Sequence, residues 1–152
     1  MNADMNTKRI MVVDDEPAIA RLLKLTLEQR AGFQVHTANS GSDALLAARA
    51  FQPHLILMDI MMPHLSGAEV AAQLRLDPLL RHTPVIFLTA AVRKQELGGA
   101  SGNIGGRTFV AKPLNVSEVL TVVERTLGTL QASHSRSSHG TTSARPLAAL
   151  DS

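Results

Sequence analysis

The segment Leu55-Ile-Leu-Met-Asp59-Ile-Met-Met-Pro63 decides the fold, because four large apolar residues run directly into a single carboxylate. An apolar run without polar alternation is typical of a strand that is buried on both faces, as the strands of parallel sheets are. Similar short runs lie at residues 10–13, 33–35, 85–88 and 108–110, and stretches with helical spacing follow them. The alternation predicts an α/β fold, a doubly wound five-stranded parallel sheet with helices on both faces.

Three of the predicted helices begin at recognisable signals. Pro17 stands in the first turn of the first helix, where its missing N–H costs no hydrogen bond. Ser66-Gly-Ala-Glu69 and Asn115-Val-Ser-Glu118 have the pattern of capping boxes, and they open the third and fifth predicted helices. These signals support the division of the chain into five βα units.

The fourth unit departs from the others, because residues 98–106 contain five glycines. Each glycine in a helix interior costs about 1 kcal/mol relative to alanine. The sequence therefore predicts a short fourth helix over residues 93–97, followed by a mobile loop that leads into the fifth strand.

The chain divides into one domain and two ends. We expect residues 1–7 to be disordered, residues 8–130 to form the domain and residues 131–152 to form a disordered tail. The tail is rich in Ser, Thr and His and lacks helical periodicity. About 22 residues beyond position 130 are too few for a DNA-binding or enzymatic output domain. The domain is therefore expected to stand alone and to act through protein contacts.

Composition excludes several classes of function. The 152 residues include 15 basic and 13 acidic side chains, too even a balance for a nucleic-acid-binding protein, and only 3% are aromatic. There is no cysteine, which excludes disulfides and thiol chemistry. No signal peptide is recognisable, and no stretch approaches the ~18 apolar residues of a membrane span. We therefore expect a cytoplasmic protein that binds neither nucleic acid nor membrane.

Polar residues follow four of the five apolar runs. Asp14-Asp15 follows the first, Asp59 the third, Thr89 the fourth and Lys112 the fifth, whereas the second ends in Asn39-Ser40. In the flavodoxin-like strand order 2-1-3-4-5, the four strands with these endings are neighbours and strand two lies at the edge. Ligands in this architecture bind at the carboxyl ends of the strands. The polar endings therefore predict a site at that edge of the sheet.

Three carboxylates at one edge repel each other, and hard oxygen ligands beside an open position suit Mg²⁺. In this interpretation Asp59 is a nucleophile that forms an aspartyl phosphate. Mg²⁺ and Lys112 neutralise charge on the transferring group, and Thr89 donates a hydrogen bond to it.

Over residues 8–130 the chain resembles the receiver domains of response regulators. The resemblance rests on Asp14-Asp15, on Asp59 with Pro63 and Gly67, on Thr89-Ala90 and on Lys112-Pro113. It implies that Asp59 is the phosphoacceptor and that a sensor histidine kinase or a phosphotransfer protein is the donor. It also implies a protein that assists its own phosphorylation and dephosphorylation and is not an enzyme with a separate substrate.

The resemblance further implies roles for individual residues. Asp15 and Asp59 would bind Mg²⁺ directly, Asp14 through water, and the backbone carbonyl of Met61 would complete the protein ligands. Thr89 and the ring of Phe109 would move on phosphorylation and alter the face formed by the fourth helix, fifth strand and fifth helix, which binds an unknown protein output partner. The Lys112-Pro113 peptide would be cis. Met61 and Ala91 stand at positions that tune hydrolysis in this family, and neither offers a polar side chain to hold water, so we expect a long-lived phosphoryl group.

Two other functions are weighed against this one. A pseudo-receiver scaffold would bind partners without phosphorylation, but the intact acidic pair, Asp59, Thr89 and Lys112 argue against it. A phosphohydrolase or nucleotide-binding enzyme could use the same carboxylates, but the sequence offers no separate general acid and no phosphate-binding loop of the G-x-x-x-x-G-K-[ST] type.

Overall fold

Six strands form a single sheet in the computed structural model, which describes residues 7–90, 101–104 and 107–140. The strands are β1 (Arg9–Val13), β2 (Gln34–Ala38), β3 (Leu55–Asp59), β4 (Val85–Thr89), β5 (Ser101–Ile104) and β6 (Arg107–Ala111). The helices of the described residues are α1 (Pro17–Ala31), α2 (Gly41–Phe51), α3 (Gly67–Arg75) and α4 (Val116–Gly140).

The sheet has the strand order β2-β1-β3-β4-β6-β5, and its first five members pair in parallel. Because β6 is the fifth predicted strand, the predicted α/β fold with its parallel order 2-1-3-4-5 is confirmed. β3 lies between β1 and β4, with Met58 opposite Val13 on one side and Phe87 on the other. The strand that ends in Asp59 is therefore central in the sheet.

Both faces of the sheet are covered, as continuous apolar strands require. Alternate side chains of β1 and β3, such as Val12 and Leu57, pack with α1 and α4 in one buried cluster. The residues between them, such as Met11 and Met58, pack with α2 and α3 in a second cluster. Since successive strand residues point to opposite faces, each strand contributes to both cores.

Residues 101–104 form a strand, so the predicted loop over residues 98–106 is wrong for this part. β5 pairs antiparallel with β6, with Ser101 opposite Val110 and Ile104 opposite Arg107. The two strands are separated in sequence by Gly-Gly, a dipeptide typical of two-residue hairpin turns. The high glycine content of residues 98–106 favours a loop, but two adjacent glycines between two short segments also indicate a hairpin. The predicted fourth helix at 93–97 lies outside the described residues.

The last helix extends ten residues beyond the predicted domain boundary at 130, to Gly140. Residues 131–139 include no glycine or proline that would stop a helix, and extending an existing helix is much less costly than starting one. The predicted disorder is therefore wrong for residues 131–140, whereas residues 1–6 and 141–152 lie outside the described part. In the described part of the chain, no helix, including the 25 residues of α4, has an apolar stretch able to cross a membrane.

The predicted helix starts are confirmed. Pro17 lies in the first turn of α1. At α3 the Glu69 amide donates to Ser66 Oγ at 3.2 Å, and the Ser66 amide donates to Glu69 Oε1 at 2.9 Å, which completes the capping box. The Glu118 amide donates to Asn115 Oδ1 at 3.1 Å at the start of α4. These caps satisfy amide groups that have no partner inside the helices.

Gly67 begins α3 in direct contact with the end of β3. A Cβ atom at this position would lie 2.2 Å from the carbonyl oxygen of Asp59 and 2.9 Å from the Cα of Ile60. The Gly67 amide also donates to the carbonyl of Ile60 at 2.9 Å. The absence of a side chain therefore lets α3 pack against the residue that carries the central carboxylate.

We expect Gly67→Ala to lower the free energy of unfolding by about 2 kcal/mol or more, because the methyl group must displace backbone of β3. Urea denaturation measures the change. Gly128→Ala is the matched control, because Gly128 lies in α4 and a Cβ atom there would meet open space. This substitution should raise the free energy of unfolding by about 0.5–1 kcal/mol. Equal effects of the two substitutions would contradict the close approach of Gly67 to Asp59.

Candidate functional site

The carboxyl ends of β1, β3, β4 and β6 lie side by side and carry the polar residues that the sequence indicated. Asp59 is the last residue of β3 and Thr89 the last of β4. Asp14 directly follows β1, and Lys112 directly follows β6. Parallel pairing places these four positions along the same edge of the sheet.

Three carboxylates form a tight cluster at this edge. One oxygen each of Asp14, Asp15 and Asp59 lies within 4.8 Å of the other two. Asp14 is fully buried, Asp59 is 3% exposed and Asp15 is half-buried. At such separations, and with two of the three side chains buried, three negative charges repel each other strongly.

Lys112 is the cation that faces this cluster. Its Nζ lies 3.1 Å from Asp14 Oδ2, 3.5 Å from Asp59 Oδ1 and 3.6 Å from Glu16 Oε1. Burial by itself lowers the pKa of Lys112, but the hydrogen bond to Asp14 and the charges of the surrounding carboxylates outweigh it, so the pKa is raised. The ammonium therefore stays charged at neutral pH.

Asp59 is the carboxyl group of this cluster whose pKa is raised. Burial, followed by the charge of Asp14, raises its pKa from 3.8 to about 6. The charge of Lys112 lowers the pKa, a hydrogen bond with Asp15 raises it, and the backbone N–H of Met61, which donates to Asp59 Oδ1 at 3.2 Å, lowers it. A proton thus partly neutralises the cluster in the absence of any other cation.

The cluster fits a divalent metal ion. Three carboxylates and one ammonium leave a formal charge of about −2, which a divalent cation would neutralise without a proton. Carboxylate oxygens are hard ligands, of the kind that Mg²⁺ and Ca²⁺ prefer. Asp14, Asp15 and Asp59 are therefore the residues that could hold the metal.

Two residues that sequence reasoning did not assign to the site also support it. The side-chain amide of Asn39 donates to the carbonyl of Asp14 at 2.9 Å, which ties the acidic segment to the end of β2. Glu16 faces Lys112, and its own amide donates to Asp14 Oδ1 at 2.9 Å. The signal for Asn39 was its position at the end of a strand next to β1, but the edge location of β2 was interpreted as exclusion from the site.

The remaining predicted residues lie around this cluster. Thr89 is fully buried, and its carbonyl accepts a hydrogen bond from the Lys112 amide at 2.9 Å. Phe109 is half-buried, with its ring stacked on Phe87 at a centroid distance of 5.5 Å. Met61 is 66% exposed, and the Lys112-Pro113 peptide is cis. The positions are those that were expected, while the roles of Thr89, Phe109 and the Met61 carbonyl stay predictions.

Comparisons with known proteins agree with this geometry. Residues 10–124 match the family model described as the response regulator receiver domain. One curated relative is PhoP, the alkaline phosphatase synthesis transcriptional regulatory protein of Bacillus subtilis, which is 41% identical over 74% of this chain. Another is DivK, the polar-differentiation response regulator of Brucella ovis, which is 37% identical over 80% of this chain. The match spans 45% of PhoP, about half its length, but 98% of DivK. Among solved structures, chemotaxis protein CheY4 of Vibrio cholerae aligns with a TM-score of 0.66 at 30% identity, covering 78% of this chain and 98% of CheY4.

We expect Asp59→Asn to raise the free energy of unfolding of the metal-free protein at neutral pH. The pKa of Asp59 is raised from 3.8 to about 6 in the folded protein, which corresponds to a gain of at most about 3 kcal/mol. Between these two values the unfolded chain loses its Asp59 proton while the folded chain keeps it, so wild-type stability falls as pH rises through this window. The gain from the substitution should therefore be about half as large at about pH 5 as at about pH 7.5.

Urea denaturation in EDTA at the two pH values measures this gain. Asp43→Asn, on the exposed surface of α2, is the control and should bring no gain at either pH. A loss of stability in Asp59→Asn at neutral pH would contradict the strained carboxylate cluster.

Proposed function

The chain belongs to the receiver-domain family of response regulators in two-component signalling, and on that premise we propose that Asp59 accepts a phosphoryl group from a histidine kinase or a phosphotransfer protein. The observation that carries the proposal is the position of Asp59, a buried carboxylate at the end of a central strand, between two further carboxylates and the ammonium of Lys112.

In the proposed reaction, an oxygen of ionised Asp59 attacks the phosphorus of a phosphohistidine. A P–O bond forms, the P–N bond breaks, and the ring nitrogen leaves with the electron pair of that bond and takes up a proton from water to give neutral imidazole. Lys112, which lies within 3.5 Å of Asp59 Oδ1, neutralises negative charge on the transferring group. The N–H of Met61 orients the attacking carboxylate through its 3.2 Å hydrogen bond.

The proposed metal is Mg²⁺, held by Asp15 and Asp59, with Asp14 acting through water and the Met61 carbonyl as a further ligand. When bound, it supplies neutralisation of charge on the phosphoryl oxygens. The clustering of Asp14, Asp15 and Asp59 supports this assignment.

Phosphorylation is proposed to act through Thr89 and Phe109. Thr89 ends β4 beside the acceptor strand, and its hydroxyl would donate to a phosphoryl oxygen. Phe109 lies two residues before the end of β6, against Phe87. A change in this ring alters the surface around β6, which would bind the protein output partner.

We propose that the protein acts as a phosphoacceptor and not as an enzyme with a separate substrate. The match over 98% of DivK supports a single-domain regulator whose output is contact with another protein. Because histidine kinases draw their phosphoryl group from ATP, the proposed location is the cytoplasm.

Acetyl phosphate with Mg²⁺ should label the wild-type chain, and both Asp59→Asn and removal of the metal with EDTA should abolish the label. Intact-mass spectrometry measures it, with Asp43→Asn as a control that should still be labelled. Label retained on Asp59→Asn would place the acceptor at another residue. A wild-type chain that takes no label would favour the phosphorylation-independent scaffold.

The phosphoryl group should be long-lived, and Met61→Asn should shorten its lifetime about tenfold, which corresponds to one hydrogen bond of about 1.4 kcal/mol that holds the attacking water. Met61 is exposed and apolar, whereas Ala91, the second residue expected to tune the lifetime, lies outside the described residues. Decay of labelled protein followed by mass spectrometry tests this, and Leu76→Asn, an exposed apolar residue just beyond α3, should leave the decay unchanged. Wild-type decay as fast as that of Met61→Asn would refute the expectation.

A further inference from the structure

A second concave site lies at the opposite end of the strands from Asp59. It is a cavity of about 410 Å³ between the last turns of α3, the segment that leads into β4, and the first residues of β4 and β6. We call it the basic cavity and define it by Leu74, Arg75, Leu80, Arg81, His82, Phe87 and Arg107, which line it with five other residues. Its volume falls in the range of small-molecule sites.

The floor of the basic cavity is apolar. Leu74, Leu80 and Phe87 are each at most 3% exposed and belong to the core cluster that α2 and α3 cover. These side chains are too buried to be covered by a ligand, but Pro84 and Val85, which line the cavity beside them, are half-buried and offer an apolar surface to an aromatic body.

The rim of the basic cavity is cationic. Arg75, Arg81, His82 and Arg107 are all exposed, and no carboxylate occurs among the twelve described residues that line the cavity. The whole sequence has 15 basic and 13 acidic residues, so this absence of acidic partners is a local feature.

The nearest acidic residue in sequence does not neutralise the rim. Asp77 lies between Arg75 and Arg81 in sequence, but its carboxylate forms an ion pair with Arg49 of α2. That pair lines a separate groove between α2 and α3. Within the described residues, neither Arg75 nor Arg81 forms an ion pair with a carboxylate.

Arg107 is held in place at this rim. Its guanidinium carbon lies 5.7 Å from the centroid of the Phe87 ring, a cation–π arrangement. Contact through the ring face leaves the N–H groups of the guanidinium plane available to an anion. Guanidinium groups bind phosphate and carboxylate oxygens through paired hydrogen bonds, and a phosphate dianion has enough oxygens to pair with more than one of the rim arginines.

We propose that the basic cavity binds a small molecule that joins a phosphate group to an aromatic body, as a mononucleotide does. The phosphate lies against the arginines of the rim, and the aromatic body lies against Pro84 and Val85. This site is separate from the carboxylate cluster and does not depend on phosphorylation of Asp59.

The test uses the full ¹⁵N-labelled chain in EDTA, so that phosphate cannot bind through a metal at the carboxylate cluster. Titration with adenosine monophosphate should shift amide signals of residues around the basic cavity, such as Thr83 and Thr108, with a Kd below about 1 mM. Adenosine lacks the phosphate group and inorganic phosphate lacks the aromatic body, so each should bind at least about tenfold more weakly than adenosine monophosphate.

Arg81→Gln and Arg107→Gln should each weaken binding of adenosine monophosphate about tenfold. Arg21→Gln, which removes the same charge from an exposed position on α1, is the matched control and should leave Kd unchanged. No saturable shift, shifts confined to the carboxylate cluster, or equal weakening by Arg21→Gln would overturn the proposal. None of these outcomes bears on labelling of Asp59, so the two proposals fail independently.

Discussion

The candidate site depends on the close approach of carboxylates whose strands a parallel sheet places side by side. Neighbouring parallel strands end at the same edge, so the carboxylates of Asp14 and Asp59 lie close together. Only a cation or a proton can neutralise their charge. Lys112 supplies one positive charge that lowers the pKa of Asp59, but burial and then the charge of Asp14 outweigh it and raise that pKa. A cluster of three carboxylates with one ammonium is therefore suited to a ligand that brings positive charge, as a divalent cation does.

Most of this site could be predicted from the sequence, because it follows from which strands are neighbours. The polar residues after the apolar runs, together with the strand order, were sufficient to predict that Asp59 and Lys112 lie close together. Asn39 was not assigned to the site because β2 lies at the edge of the sheet, and its contribution is a hydrogen bond to the backbone carbonyl of Asp14. The pairing of β5 with β6 was missed for a different reason: glycines permit both loops and hairpins, and only long-range pairing decides between them.

The end of α4 shows a different limit of sequence reasoning. The polar composition of residues 131–140 removes the apolar face on which helix prediction relies, yet the backbone continues as helix to Gly140. Composition indicates whether a segment can bury a face, but it does not indicate whether a helix that is already formed will end.

The length of α4 has a mechanical consequence. At 1.5 Å per residue its 25 residues extend about 37 Å, more than twice the length of a five-residue strand of the sheet. Its first half, from Val119 to Leu127, packs in the core, and the backbone helix continues for about 20 Å beyond Leu127. A tilt of about 5° about Leu127 would move the end of this continuation by about 2 Å, so a small rotation at the core would become a larger displacement at Gly140.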